Sequence, residues 1–154
     1  MNTIYLISKT FIDNNEILKE LERITKDLGL DIYDHNYSEY VALQFNKTEY
    51  DKDWQEEVPK MKFELMMDGE IRFNQTKKDN NFIEGHGIIG YIYFEYEKNN
   101  ILLEFLKKLL NQFPDMLVYN ELGNAIHQKP FVFSKKHIEN SKDLYTLNKP
   151  PQNF

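Results

Sequence analysis

The chain has 154 residues, a net charge of -6 and no cysteine, which fits one domain of about 100 to 200 residues and excludes disulfides, thiolate metal sites and cysteine catalysis. Hydrophobic residues make up 41% of the sequence and aromatic residues 14%, which is too rich for a disordered chain. Because the balance is acidic and Arg23 and Arg72 are the only arginines, we expect no binding to nucleic acid, whose phosphates require basic side chains.

The first third of the chain predicts a strand, a helix and a second strand. Residues 3–8 carry apolar side chains at both odd and even positions, which is typical of a central strand buried on both faces. Residues 14–28 begin among three residues that offer cap oxygens, Asp13, Asn14 and Asn15. They repeat apolar side chains at helical spacing and end before Gly29, so they predict a helix. Residues 32–45 are rich in β-branched and aromatic side chains and predict a strand.

The middle of the chain predicts a loop followed by a hairpin. Residues 46–60 are polar and lack periodicity, so we expect a loop or a short irregular helix that Pro59 ends. Residues 61–67 alternate between apolar and other side chains, and Asp68-Gly69 is typical of a tight turn into a strand containing Ile71 and Phe73. A polar connector over residues 76–81 then leads to a glycine-rich segment and a strand over residues 91–96.

The last third predicts one helix and several short strands. Residues 100–113 form a wide apolar stripe that Pro114 ends, and residues 116–119, 125–127 and 131–133 are typical of strands, the last at a sheet edge. We therefore expect residues 1–143 to form a single α+β domain, with two main helices on one face of a mostly antiparallel sheet, in a split βαβ or ferredoxin-like plan. We expect residues 144–154 to form an extended or frayed tail.

Common catalytic and metal-binding motifs are absent from the sequence. It has no phosphate-binding glycine loop, no dinucleotide fingerprint, no zinc-protease helix motif and no serine-hydrolase elbow. Asp31, Asp34 and His35 are spaced as ligands could be on a helix, but they lie where a strand begins. We therefore expect no metal and no cofactor, and a binding protein rather than an enzyme.

An acidic segment with two aromatic residues is the strongest candidate for a partner-binding surface. Its members are Glu49, Tyr50, Asp51, Asp53, Trp54, Glu56 and Glu57. Rigid aromatic anchors among charges of one sign suit an electrostatically steered protein interface. The alternative is a surface segment whose tryptophan turns into the core and whose acids are only solvated, because tryptophan is usually well buried.

A small, acidic, cysteine-free domain with this order of elements and this acidic segment resembles the immunity proteins of bacterial polymorphic or contact-dependent toxin systems. The resemblance implies a protein that binds one cognate toxin and covers its active surface with acidic side chains. It implies a basic toxin domain as the partner. The sequence has no signal peptide and no stretch long enough to cross a membrane, so we expect a cytoplasmic protein without membrane partners.

A small enzyme or ligand-binding domain is the alternative function. The glycines of the segment from Gly85 to Gly90 would let the backbone approach a ligand, with His86 as acid, base or ligand contact and Glu84 as its orienting partner. This alternative requires a concave pocket beside His86 with a second polar group.

Tyrosines at alternate strand positions pose a further question. Tyr37, Tyr40, Tyr91 and Tyr93 could form an exposed aromatic platform, or they could pack half-buried on the sheet.

Overall fold

A computed structural model describes residues 2–36, 40–94, 101–121 and 129–152, with the backbone alone at residues 48, 49, 51 and 57–62. The elements in chain order are β1 (Asn2–Ser8), α1 (Asn14–Leu28), β2 (Asp31–Asn36), β3 (Tyr40–Asp51), β4 (Glu56–Asp68), α2 (Glu70–Asp79), β5 (Gly87–Phe94), α3 (Ile101–Gln112), β6 (Leu117–Asn120), β7 (Phe131–Phe133), α4 (Lys135–Glu139) and a 3-10 helix (Leu144–Asn148). The predicted strand over residues 125–127 lies outside the described residues.

The strands form one seven-stranded sheet in the order β2-β3-β4-β5-β1-β6-β7, and every described pairing is antiparallel. β1 lies between β5 and β6, inside the sheet, as its apolar residues at both parities predict. β5 and β6 flank β1 and are joined through α3, which makes a split βαβ unit. The predicted α+β fold with an antiparallel sheet is confirmed.

Local signals fix the two main helices. The Asp13 carboxylate accepts a hydrogen bond from the Asn15 N–H at 2.8 Å and so caps the start of α1. Gly29 ends the same helix with a φ of 64°, a left-handed conformation that glycine adopts without a steric penalty. The observed bounds of α1 agree with the prediction, and those of α3 lie within a residue of it.

The main core lies between the sheet and these two helices, α1 and α3, which contribute to one buried cluster on the same face. At its centre the ring of Phe105 from α3 packs against Phe45 and Phe63, with ring centroids 5.2 and 4.9 Å away. Phe45 and Phe63 face each other across β3 and β4 with stacked rings 4.7 Å apart. Aromatic contacts at these distances add to the stability gained from burial alone.

Two predictions for the middle of the chain are wrong. Residues 46–60 belong to a long hairpin of β3 and β4 and not to a loop or irregular helix, because backbone pairing continues from Tyr40↔Asp68 to Asp51↔Glu56. A register shift after Lys47 places Pro59, which has no N–H to donate, beside an irregularity in the ladder. The segment after Asp68 is the helix α2 and not a returning strand, and Gly69 is its N-cap.

The expectation of an extended or frayed tail is wrong for residues 144–148. Leu144–Asn148 is a 3-10 helix whose Leu144 and Leu147 side chains are buried in the main core. The Asn120 side-chain amide donates a hydrogen bond to the Leu147 carbonyl at 2.8 Å. The burial of these two leucines therefore holds the segment against the domain, although its polar composition predicts a frayed tail.

Candidate functional site

The hairpin of β3 and β4 extends past β2 in the sheet. β2 pairs with β3 only up to Asn46. The two strands nevertheless continue to pair with each other as far as Asp51↔Glu56. We call residues 47–62 the arm. At about 3.3 Å per residue, five residues of β3 carry its tip about 17 Å beyond Asn46.

The tip of the arm exposes two large aromatic side chains. The strands are joined by a turn over residues 52–55, in which Gln55 adopts a positive φ of 53°. Trp54 in this turn is 72% exposed, and Tyr50, next to the turn, is 62% exposed. The alternative in which Trp54 turns into the core is therefore wrong.

The predicted partner-binding acids lie along the same end of the arm. The side chains of Asp53 and Glu56 are exposed. The backbone places Glu49 and Asp51 on β3 and Glu57 on β4, while their side chains lie outside the described part of the structure. The hairpin thus gathers the seven sequence-predicted residues into one protruding element. Their role in binding a partner stays a prediction.

The alternative site around His86 does not form the expected pair. His86 is only 7% exposed, and its Nδ1 lies 3.0 Å from the backbone carbonyl oxygen of Glu84, whose side chain is exposed. His86 lines none of three clefts that the described residues form, those beside Asp68, Asp143 and Gln44. A Cβ atom added to Gly87 would lie 2.5 Å from the Phe73 carbonyl oxygen, so this glycine allows helix α2 to pack closely against β5.

A cleft of about 760 Å³ lies on the open face of the sheet, at the start of α2. Four tyrosines from the sheet line it: Tyr5, Tyr40, Tyr91 and Tyr93. Asp68, at the end of β4, and Arg72, on α2, line it as well. We call it the tyrosine cleft. All four tyrosines are half-buried, so the expected half-buried packing on the sheet is present and the exposed platform is not. Tyr37 lies outside the described residues.

The tyrosine rings of the cleft contact one another across the sheet. Pairing of β1 with β5 places Tyr5 opposite Tyr91, and their ring centroids are 6.1 Å apart. The rings of Tyr91 and Tyr93 meet edge to face, with centroids 5.2 Å apart. Burial, together with the neighbouring Tyr93 and Asp68, raises the pKa of Tyr91 to about 12 against the opposing charge of Arg72. The Tyr91 hydroxyl is therefore neutral at physiological pH.

Asp68 is a buried carboxylate with an incomplete set of partners. The residue is 9% exposed, and its Oδ2 lies 3.7 Å from the Nε of Arg72, one helical turn further along the chain. Within the described ranges, this oxygen has no hydrogen-bond donor. Burial raises the pKa of Asp68, and the positive charge of Arg72 opposes that rise. Sequence reasoning missed Asp68, Arg72 and Tyr5 as site residues.

Comparisons of the chain with protein-family models, with curated proteins and with solved structures give no match. Among the described residues, no group of three or more His, Asp or Glu side chains has the geometry to hold a metal ion. No helix in the described ranges combines the length and apolar character needed to cross a bilayer.

Proposed function

We propose that this protein is a non-enzymatic binding protein that docks onto a protein partner through the tip of the arm. The observation that carries the proposal is the exposure of Trp54 and Tyr50 on a protruding hairpin. Complete burial of the exposed 72% of Trp54 would remove about 180 Å² from water, which is worth about 4 kcal/mol. A single anchor of this size is enough to act as a hot spot.

The charge at the tip of the arm favours a basic partner. Asp53 and Glu56 are exposed at the tip, and the segment Glu49–Glu57 holds five acidic residues against one lysine. Residues 1–77 carry the whole net charge of -6, while residues 78–154 are neutral. Such asymmetry would steer a cationic protein toward the arm and would accelerate association.

The most specific form of the proposal is an immunity protein in the bacterial cytoplasm that occludes the active surface of a cognate basic toxin domain. It is supported by the acidic segment Glu49–Glu57 and by the aromatic anchors Tyr50 and Trp54. It makes a genetic prediction: the gene beside this one encodes a toxin with a variable C-terminal domain. Co-expression should rescue growth of cells that make that domain, and the two purified proteins should form a complex. A neighbouring toxin domain that neither binds nor is neutralised would count against the proposal.

Matched variants separate anchoring from steering. Trp54→Ala should speed dissociation of the toxin domain, at a cost of about 2 kcal/mol or more in binding. Tyr145→Ala serves as the control, since it removes an aromatic side chain with 52% exposure far along the chain from the arm. The double reversal of Asp53 and Glu56 to lysine should slow association and weaken its salt dependence.

The control for the charge reversal is the same change at Glu16 and Glu22, which are exposed on α1. Both double variants alter the net charge equally. If they slow association to the same extent, the partner responds to overall charge, and the assignment of the arm as the docking element fails.

A further inference from the structure

We propose that the tyrosine cleft is a second binding site, which accepts an organic cation by holding a guanidinium group against tyrosine rings and the carboxylate of Asp68. The inference is independent of the arm, because none of the residues lining this cleft belongs to residues 47–62. It rests on the charge of the cleft, on the unsatisfied carboxylate and on the aromatic walls.

The charges of the cleft favour a cation. Its lining includes Asp68 and Glu70 as acids and Arg72 as the single basic residue. The negative charge of Asp68 raises the pKa of Tyr91 more than the positive charge of Arg72 lowers it. The acids thus outnumber the base in a partly desolvated cleft, where charge interactions are stronger than in water.

Asp68 supplies an acceptor that needs a donor. Its Oδ2 is buried, and 3.7 Å is too long for a hydrogen bond from the Nε of Arg72. A buried carboxylate oxygen without a hydrogen bond destabilises the folded protein unless a charged donor binds to it. The Arg72 side chain is 60% exposed, so its loose contact can give way to a better-placed guanidinium.

The aromatic walls suit a flat cation. A guanidinium group is planar and weakly hydrated, and it stacks on aromatic faces as well as donating to carboxylates. The ring centroids of Tyr5 and Tyr91 are 6.1 Å apart and those of Tyr91 and Tyr93 are 5.2 Å apart. These rings line the same cleft as Asp68. The volume of about 760 Å³ lies in the range of small-ligand sites, so the cleft also has room for the group that carries the guanidinium.

The experiment is an NMR titration of the isotopically labelled full chain with three probes. Methylguanidinium tests the cationic group alone, and N-acetyl-arginine methylamide presents it as a polypeptide would. N-acetyl-citrulline methylamide is the neutral isostere of the second probe. Saturable shifts around Asp68 and Tyr91 are expected with both cations and not with the citrulline compound. Equal affinity for the two cations assigns the site to small cations, and tighter binding of the arginine compound assigns it to a polypeptide side chain.

Two variants should change the affinity in opposite directions. Asp68→Asn should weaken binding of the arginine compound by about tenfold or more, which is the loss of one charge-assisted hydrogen bond. Arg72→Gln should strengthen it by several-fold, because it removes a competing positive charge. The control is Asp27→Asn on α1, which also breaks a carboxylate–cation contact of 3.7 Å, there with Lys108, and should leave the affinity unchanged.

Three results would overturn the inference. One is equal binding of the citrulline compound, which does not depend on any variant. Another is a loss of binding in Arg72→Gln, which would assign the cleft to an anion. The third is an equal effect of Asp68→Asn and Asp27→Asn. Growth rescue through the arm does not enter any of these readouts, so the two proposals can fail separately.

Discussion

Truncation of Trp54 should barely destabilise the free protein. Because the residue is 72% exposed, the folded state buries only about 70 Å² of a side chain of roughly 250 Å². At about 25 cal/mol per Å², Trp54→Ala costs at most about 2 kcal/mol, and less if the unfolded chain already buries part of that surface. A buried tryptophan would cost about 3 to 5 kcal/mol.

Phe105→Ala is the matched comparison within the same chain. This ring is 0% exposed and contacts both Phe45 and Phe63, so its loss should cost about 3 to 5 kcal/mol. Urea unfolding followed by far-ultraviolet circular dichroism measures the stability of both variants. Tryptophan fluorescence cannot be used, because Trp54→Ala removes the only tryptophan. Equal destabilisation by the two substitutions would refute the exposed position of the arm's tip.

Three further predictions concern the tyrosine cleft and the strand β5 that contributes to it. Ultraviolet titration of the ten tyrosines should show a final step near pH 12 that Tyr91→Phe removes. The raised pKa of Asp68 means that the folded state binds this proton more tightly than the unfolded chain, so stability should fall as pH rises from 3.8 through the folded-state pKa. Asp68→Asn should reduce that fall and raise the melting temperature at neutral pH; a lower melting temperature would contradict it. Gly90→Ala should cost about 1 to 3 kcal/mol in chemical unfolding, because its Cβ would collide with the Met66 carbonyl, and a wild-type midpoint would contradict it.

Elements with complete local signals were predictable from the sequence. α1 has a cap at Asp13, an apolar stripe and a stop at Gly29, and each signal indicates the same bounds. α2 lacks them, since it buries only Phe73 and Thr76 and so shows no apolar stripe. Asp68-Gly69 is a turn signal in isolation, and the chain uses that glycine as a helix N-cap instead.

The arm and the tyrosine cleft depend on information that local patterns do not hold. The arm consists mostly of polar residues, and the pairing of β3 with β4 holds it together. Because it has no alternating apolar pattern, the sequence does not indicate that it forms strands. The spacing of four between Asp68 and Arg72 has meaning only once α2 is known to be helical. Tyr5 and Tyr91 meet only through the pairing of β1 with β5, which sequence patterns do not specify.

The position of β1 inside the sheet governs the order in which the chain can assemble. Asn2 pairs with Phe94 and Tyr5 pairs with Tyr119, so the first strand must close loops of most of the chain's length on both of its sides. The neighbouring strands β2, β3 and β4 close only short loops, with correspondingly small entropic costs. During synthesis on a ribosome, the β2–β4 meander can pair early, whereas β1 stays without its second partner until β6 has emerged.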